Sequence, residues 1–227
     1  MISAEIFLIL NTNSIYRLKK RSMKLHRDTV LDSKRKSLLD KFARTKKYGF
    51  YLAWGTALAL QYGHRTSEDF DFFKEWNLDT NQLKDILNRQ NLQYRVSYEV
   101  PNTLYIDIDG VKISFIAVKK LTLIDNLIHT EYFDIATDKD VWIMKLVTIP
   151  ARREAKDYVD LYYITHRYDI DTLIDLIPEK YWSAQNIFVL KKSLLYIDDL
   201  LDNVTFVDKK ISTKDIQKHF EKLVKDL

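Results

Sequence analysis

Residues 52–73 read Leu52-Ala-Trp-Gly-Thr-Ala-Leu-Ala-Leu-Gln-Tyr-Gly-His-Arg-Thr-Ser-Glu-Asp-Phe-Asp-Phe-Phe73, and this stretch decides the fold. Its first residues extend an apolar run, Tyr48 to Trp54, that predicts a short buried strand. Gly55-Thr56 then opens a helix over 56–62, and Asp69-Phe-Asp-Phe-Phe73 predicts a second strand. Side chains alternate across a strand, so Asp69 and Asp71, two apart, project from one face. Two such carboxylates repel one another unless a cation lies between them, and a hard divalent ion takes oxygen ligands from one or two carboxylates plus phosphates. The pair is a candidate metal clamp. An Asp-x-Asp pair also occurs in exposed loops, so its meaning depends on what precedes it.

What precedes it suits an anion. Gly55 permits close backbone approach, the N–H groups opening the following helix favour phosphate, and the Thr56 hydroxyl can add a bond. Arg65 and Ser67, between helix and strand, are further candidate phosphate contacts, with Ser67 alternatively capping the turn. Without the carboxylates, Gly55 and Thr56 would read as an ordinary strand-to-helix turn and its cap. His64 reads as structural.

Outward from this segment the pattern is mixed. A helix is expected over 79–90, then strands over 92–100, 104–108 and 111–118, the last two joined by Asp109-Gly110, a two-residue hairpin signal. Helices are expected over 139–149, 152–166, 170–177, 183–201 and 213–226, with Pro150 and Pro178 as punctuation. Upstream, residues 15–47 show a helical apolar pattern in one or two basic helices, and Ile6–Leu10 reads as a buried strand or helix start, too short to span a membrane. The fold class is α+β: a mixed-sheet core lobe with N-terminal basic helices over 1–120, and a C-terminal helical lobe over 121–227.

Hydrophobic residues at 46% and only 4 Gly and 3 Pro argue for a folded chain with few flexible linkers. With no cysteine there is neither disulfide nor thiolate metal site, which is compatible with the cytoplasm. Residues 17–47 hold thirteen Lys/Arg against three Asp, a local charge of +10 in a chain of net +4. That segment reads either as a solvated helix face or as a surface for nucleic-acid phosphates.

The stretch 52–73 resembles the first motif of the AbiEii/AbiGii-type toxin nucleotidyltransferases, within the DNA polymerase β-like superfamily. Their pattern is Gly-Gly-Thr/Ser, a helix, His-Arg-x-Ser, then Asp-x-Asp-Phe-Phe, and residues 55–73 follow it. Trp54 departs from it, standing where the first glycine is usual. A later block, Met144-Lys145 through Ala155-Lys156-Asp157-Tyr-Val-Asp160-Leu-Tyr-Tyr163, resembles a second motif, and Gly110-Val-Lys-Ile-Ser-Phe115 the intervening strand. The likeness covers about 48–165.

The resemblance implies a nucleotidyltransferase core in which Asp69 and Asp71 bind Mg²⁺ or Mn²⁺. It also implies that Lys145 contacts the triphosphate and that Asp157 is the acidic residue of the later motif. Asp69, Asp71, Lys145 and Asp157 are then the catalytic candidates, and Gly55, Thr56, Arg65, Ser67 and Lys145 the nucleotide-binding ones. It further implies a nucleoside triphosphate substrate, a tRNA or protein acceptor, a cognate antitoxin and a role in toxin–antitoxin or phage-defence systems. A catalytically degenerate binder of the same fold is the alternative. Read by itself, Lys145 lies in an apolar run, so its ammonium must snorkel or find an anion. Lys156 and Asp160 have the i, i+4 spacing of a surface pair, and Asp160 could instead meet Arg152 or Arg153. The resemblance also implies a third carboxylate on a neighbouring strand, to bind a second metal or activate the acceptor hydroxyl; Asp107 is the candidate, while the closely matching 111–115 strand offers Ser114 instead.

Overall fold

The computed structural model describes residues 24–182, 185–197, 204–207 and 210–225. The readings at Ile6–Leu10, over 15–23, and at 183–184 and 198–201 of the expected 183–201 helix lie outside the described residues. The described chain opens with helices α1 (Arg27–Val30) and α2 (Ser33–Phe42) and a 3₁₀ turn over Ala43–Tyr48. Asp32 caps α2 by accepting the Arg35 N–H at 2.8 Å.

The deciding stretch folds as expected from its pattern. Strand β1 (Tyr51–Ala53) is buried throughout and runs straight into α3 (Trp54–Tyr62). Gly63 ends α3 with φ of 67°, and a Cβ there would meet the His26 ring at 2.6 Å, so this turn needs glycine twice over. Strand β2 (Phe70–Glu75) follows, antiparallel to β1 with Ala53 opposite Asp71. Next come α4 (Thr80–Arg89), β3 (Arg95–Val100), β4 (Thr103–Ile108) and β5 (Val111–Val118). Asp109 and Gly110 both take positive φ, 54° and 83°, as the tight turn between β4 and β5 requires.

Two short strands, β6 (Ile128–His129) and β7 (Asp134–Ile135), complete a seven-stranded mixed sheet of order β3-β4-β5-β2-β1-β7-β6. β2 runs parallel to β5 and β1 parallel to β7, with the remaining pairs antiparallel. Phe72 stacks on Phe115 with ring centroids 5.4 Å apart, and Phe42 joins them at 5.6 Å from Phe72. This aromatic core fills the sheet face opposite Asp71.

Beyond the sheet the chain is helical: α5 (Asp138–Arg152), α6 (Ala155–Thr165), α7 (Ile170–Ile174), α8 (Ile177–Tyr181), α9 (Ile187–Ser193) and α10 (Thr213–Val224). Thr137 caps α5, whose middle is buried from Asp140 through Leu146, the mark of a helix packed on several sides. Pro150 does not end α5, which runs on to Arg152 with the proline inside its last turn. Pro178 sits in the first turn of α8, where its missing N–H has no helical partner to lose; the expected 170–177 helix stops at Ile174, and α8 is a separate short helix. Among the described residues no helix is long and apolar enough to cross a membrane.

Candidate functional site

Asp69 and Asp71 line a cleft of about 490 Å³ together with Trp54, Gly55 and Thr56 at the start of α3. Its other walls include Ser114, Lys112 and Tyr105 from β5 and β4, Lys145 and Arg152 from α5, Glu154 from the turn between the helices and Lys156 from α6. Asp71 and Ser114 come from the sheet, and Lys145, Arg152 and Lys156 bring cations from the helical side.

Several bonds fix the carboxylates. The Thr56 hydroxyl donates to the Asp69 carbonyl and lies 2.7 Å from the Ser67 hydroxyl, tying the helix start to the segment entering β2. Both Thr56 and Ser67 are buried. Ser114, directly opposite Asp71 in the β2–β5 register, donates its hydroxyl proton to Asp71 Oδ1. Burial pushes the Asp71 carboxyl above the usual carboxylate range; the Ser114 bond works against this, and the neighbouring Asp69 charge adds to it. A cation between the two would remove that repulsion.

Behind the cleft lies a buried charge network. Lys145, 1% exposed, contacts Asp157 Oδ1 at 2.5 Å and Asp160 Oδ2 at 2.8 Å. Burial opposes its charge, but Asp160 and Asp157 outweigh it and hold the ammonium pKa above its ordinary value. Arg65 grips Asp160 through Nε and Nη2, each at 2.7 Å, while its Nη1 donates to the Thr66 carbonyl. His64 donates from Nε2 to Asp160 Oδ1 at 2.6 Å, and its pKa is lowered chiefly by burial, against the pull of Asp160. Surrounded so, the Asp160 carboxyl sits well below the usual range despite its burial, held by Arg65 and Lys145. Asp160 is therefore no surface residue, and Lys156 pairs with Glu154 instead, at 3.1 Å.

Gly55 owes its identity to this network: a Cβ there would meet Arg65 Nη2 at 2.5 Å. The left-handed backbone falls one residue earlier, on Trp54, with φ of 56°. Its indole stacks on Phe73 at 6.2 Å, with Arg152 Cζ at 5.1 Å and Lys145 Nζ at 5.7 Å from the ring. Asp107 stands apart from the cleft wall and accepts the Gly110 N–H at 3.0 Å, bracing the β4–β5 turn.

Residues 37–118 match the family model described as the nucleotidyl transferase AbiEii toxin of type IV toxin–antitoxin systems. An uncharacterized protein of Aquifex aeolicus is 33% identical over 183 residues, spanning 78% of this chain and 87% of that protein. The chain belongs to the AbiEii nucleotidyltransferase toxin family. The fold of this AbiEii-family chain is also that of MenT4, a nucleotidyltransferase toxin of Mycobacterium tuberculosis. That match has a TM-score of 0.53 at 15% identity and covers 85% of this chain and 82% of that one. JHP933 of Helicobacter pylori is similar at a TM-score of 0.51 and 15% identity, covering 87% and 94% of the two chains.

In this AbiEii-family chain the structure brings Gly55, Thr56, Arg65, Ser67, Asp69, Asp71 and Lys145 to one cleft, with Asp157 behind Lys145. Tyr105 and Lys112 also line it and escape sequence reading, because their place depends on the β4–β5 register. Arg152 reaches the cleft from the last turn of α5, held over Trp54 and bonded to Glu154.

Proposed function

We propose that the chain transfers a nucleoside monophosphate from a nucleoside triphosphate to an acceptor hydroxyl. The observation that carries this reading is the placement of Asp69 and Asp71 at the opening of α3, in one cleft with the buried Lys145 ammonium. The oxygen-only pair fits a hard divalent ion such as Mg²⁺ or Mn²⁺. Among the described residues no larger cluster of His, Asp or Glu forms, so phosphate oxygens and water would complete its ligands. Held there, the ion would neutralise charge on the reacting phosphate.

The chain's own groups divide the remaining work. Backbone N–H groups opening α3 receive phosphate oxygens, since the Thr56 hydroxyl already donates to the Asp69 carbonyl. Lys145, with Arg152 beside it, offsets charge gathering on the departing pyrophosphate. Arg65 and Asp157 serve by positioning: Arg65 fixes Asp160, and Asp157 shares Lys145 with it. The proposed setting is a toxin–antitoxin or phage-defence system of a bacterial cytoplasm, with a cognate antitoxin and with tRNA or protein as acceptor.

The Trp54 indole lining the cleft favours one competing reading, a protein that binds nucleotide without turning it over. Incubation with Mg²⁺, cell lysate or total RNA, and each nucleoside triphosphate labelled at α or at γ separates the two. Label from the α-position on an acceptor supports transfer. Tight nucleotide binding with no label on any acceptor supports the competitor, and γ-label on the acceptor would make the chain a kinase.

A further inference from the structure

The sheet carries one row of cross-strand neighbours from the site to its open edge: Ala53, Asp71, Ser114, Tyr105, Tyr98. Residues opposite one another in a sheet face the same side, so all five side chains share the cleft face. At about 4.8 Å per strand, Tyr105 lies about 10 Å and Tyr98 about 14 Å from Asp71. Both are large and uncovered, 38% and 50% exposed, with ring centroids 5.3 Å apart. The register shift between Val96 and Tyr98 re-aims the strand there and brings Ser97 to the cleft wall.

The next row, Arg95, Asp107, Lys112, puts two exposed cations beside the rings. Asp107 between them is committed to the Gly110 N–H. Among the described residues neither Arg95 nor Lys112 has an ion-pair partner. Every residue of β3 is exposed, so the β3–β4 hairpin extends the sheet as an open shelf.

Exposed aromatic rings flanked by unpaired cations are the means by which proteins hold single-stranded nucleic acid: bases stack on the rings and phosphates meet the cations. We infer that Tyr105 and Tyr98 form a stacking platform for unpaired bases of a single-stranded nucleic-acid acceptor, with Arg95 and Lys112 on its phosphates. The inference rests on the transfer reading for its direction. In-line displacement puts attacking and leaving oxygens on opposite sides of the phosphorus. The opening of α3 lies on the β1 side of Asp71, and the tyrosines lie on the β5 and β4 side. The platform therefore serves the acceptor, not the incoming nucleotide.

The test is anisotropy of a fluorescein-labelled ten-nucleotide single strand with the full chain, without nucleotide or metal. Tyr105→Ala and Tyr98→Ala should each weaken binding by about 5- to 150-fold, with Phe variants restoring it. Lys112→Gln or Arg95→Gln should each lower the slope of log affinity against log salt by about 0.7. A blunt duplex of the same sequence should bind weakly and ignore the tyrosine substitutions. Unchanged single-strand binding in both alanine variants overturns the inference. So does loss of nucleoside triphosphate affinity in those variants with oligonucleotide affinity intact, which would assign the platform to the incoming base. Tyrosine-dependent strand binding without α-label transfer would refute the transfer reading and leave the platform standing.

Discussion

Gly55→Ala separates two reasons for a glycine at the head of α3. If Gly55 were needed only for phosphate approach, alanine would be harmless in the free protein. The residue lies in a helix without positive φ, where alanine is favoured over glycine by about 1 kcal/mol. The structure predicts the opposite sign. The new Cβ would fall 2.5 Å from Arg65 Nη2. Arg65 cannot swing away as a surface arginine would, because it is 3% exposed and holds Asp160 through two bonds of 2.7 Å. Relief requires losing at least one of these, and a hydrogen bond to a charged group contributes about 1.5–3 kcal/mol. Net of the helix gain, a loss of about 0.5–2 kcal/mol follows. Equilibrium urea denaturation of nucleotide-free protein, followed by circular dichroism, measures it. In an Arg65→Met background the clash is gone and Gly55→Ala should become neutral or stabilising. An unchanged or higher urea midpoint for Gly55→Ala alone would refute this account of the glycine.

Three further outcomes follow from neighbouring features. Asp160→Asn strips the counter-charge from Arg65 and Lys145, both buried, and should cost about 3–5 kcal/mol in the same denaturation assay; a loss below about 1 kcal/mol would contradict the network. At position 54 the usual helix order should invert, with Trp54→Gly more stable than Trp54→Ala by about 1–2 kcal/mol, because only glycine takes a φ of 56° without strain; equal urea midpoints would show that the residue relaxes out of that conformation. Burial, with His166 and Lys222 nearby, pushes His219 down to about 4 from its ordinary 6.5. The unfolded chain then takes up the proton first, so stability falls as pH drops from about 6.5 towards 4. His219→Gln should flatten that fall in a melting-temperature series, whereas parallel curves would refute the assignment; His64, also lowered, remains in both proteins.

Much of the core was legible because local pattern and fold agree. The strand-helix-strand order of 51–75 and the Asp109-Gly110 turn follow from period and glycine chemistry, although β2 begins at Phe70, one residue after Asp69. Strands β6 and β7, two residues each, are too short to carry any alternation and exist only by pairing with each other and with β1. The Arg65–Asp160 pair joins residues 95 apart, and nothing near Asp160 in sequence announces that its side of α6 is buried. Gly55 was legible as a glycine with a purpose, but the guanidinium that fixes it is visible only in three dimensions. Asp107 lies on β4, one strand removed from β2, and its bond to Gly110 makes it a turn residue, while Ser114 on the neighbouring β5 holds the place beside Asp71. Trp54 departs from the family pattern in sequence, while its positive φ and the two cations over its ring emerge only from the structure.

Nucleotidyl transfer in this cleft, as proposed, depends on Asp69 and Asp71. Its most direct measurement is single-turnover transfer of α-label from nucleoside triphosphate with Mg²⁺, comparing the parent chain with Asp69→Asn and Asp71→Asn at matched urea stability. The parent chain should transfer label, and either substitution or chelation of the ion should abolish that transfer. Transfer that persists in both variants, or that needs no divalent ion, would contradict that dependence.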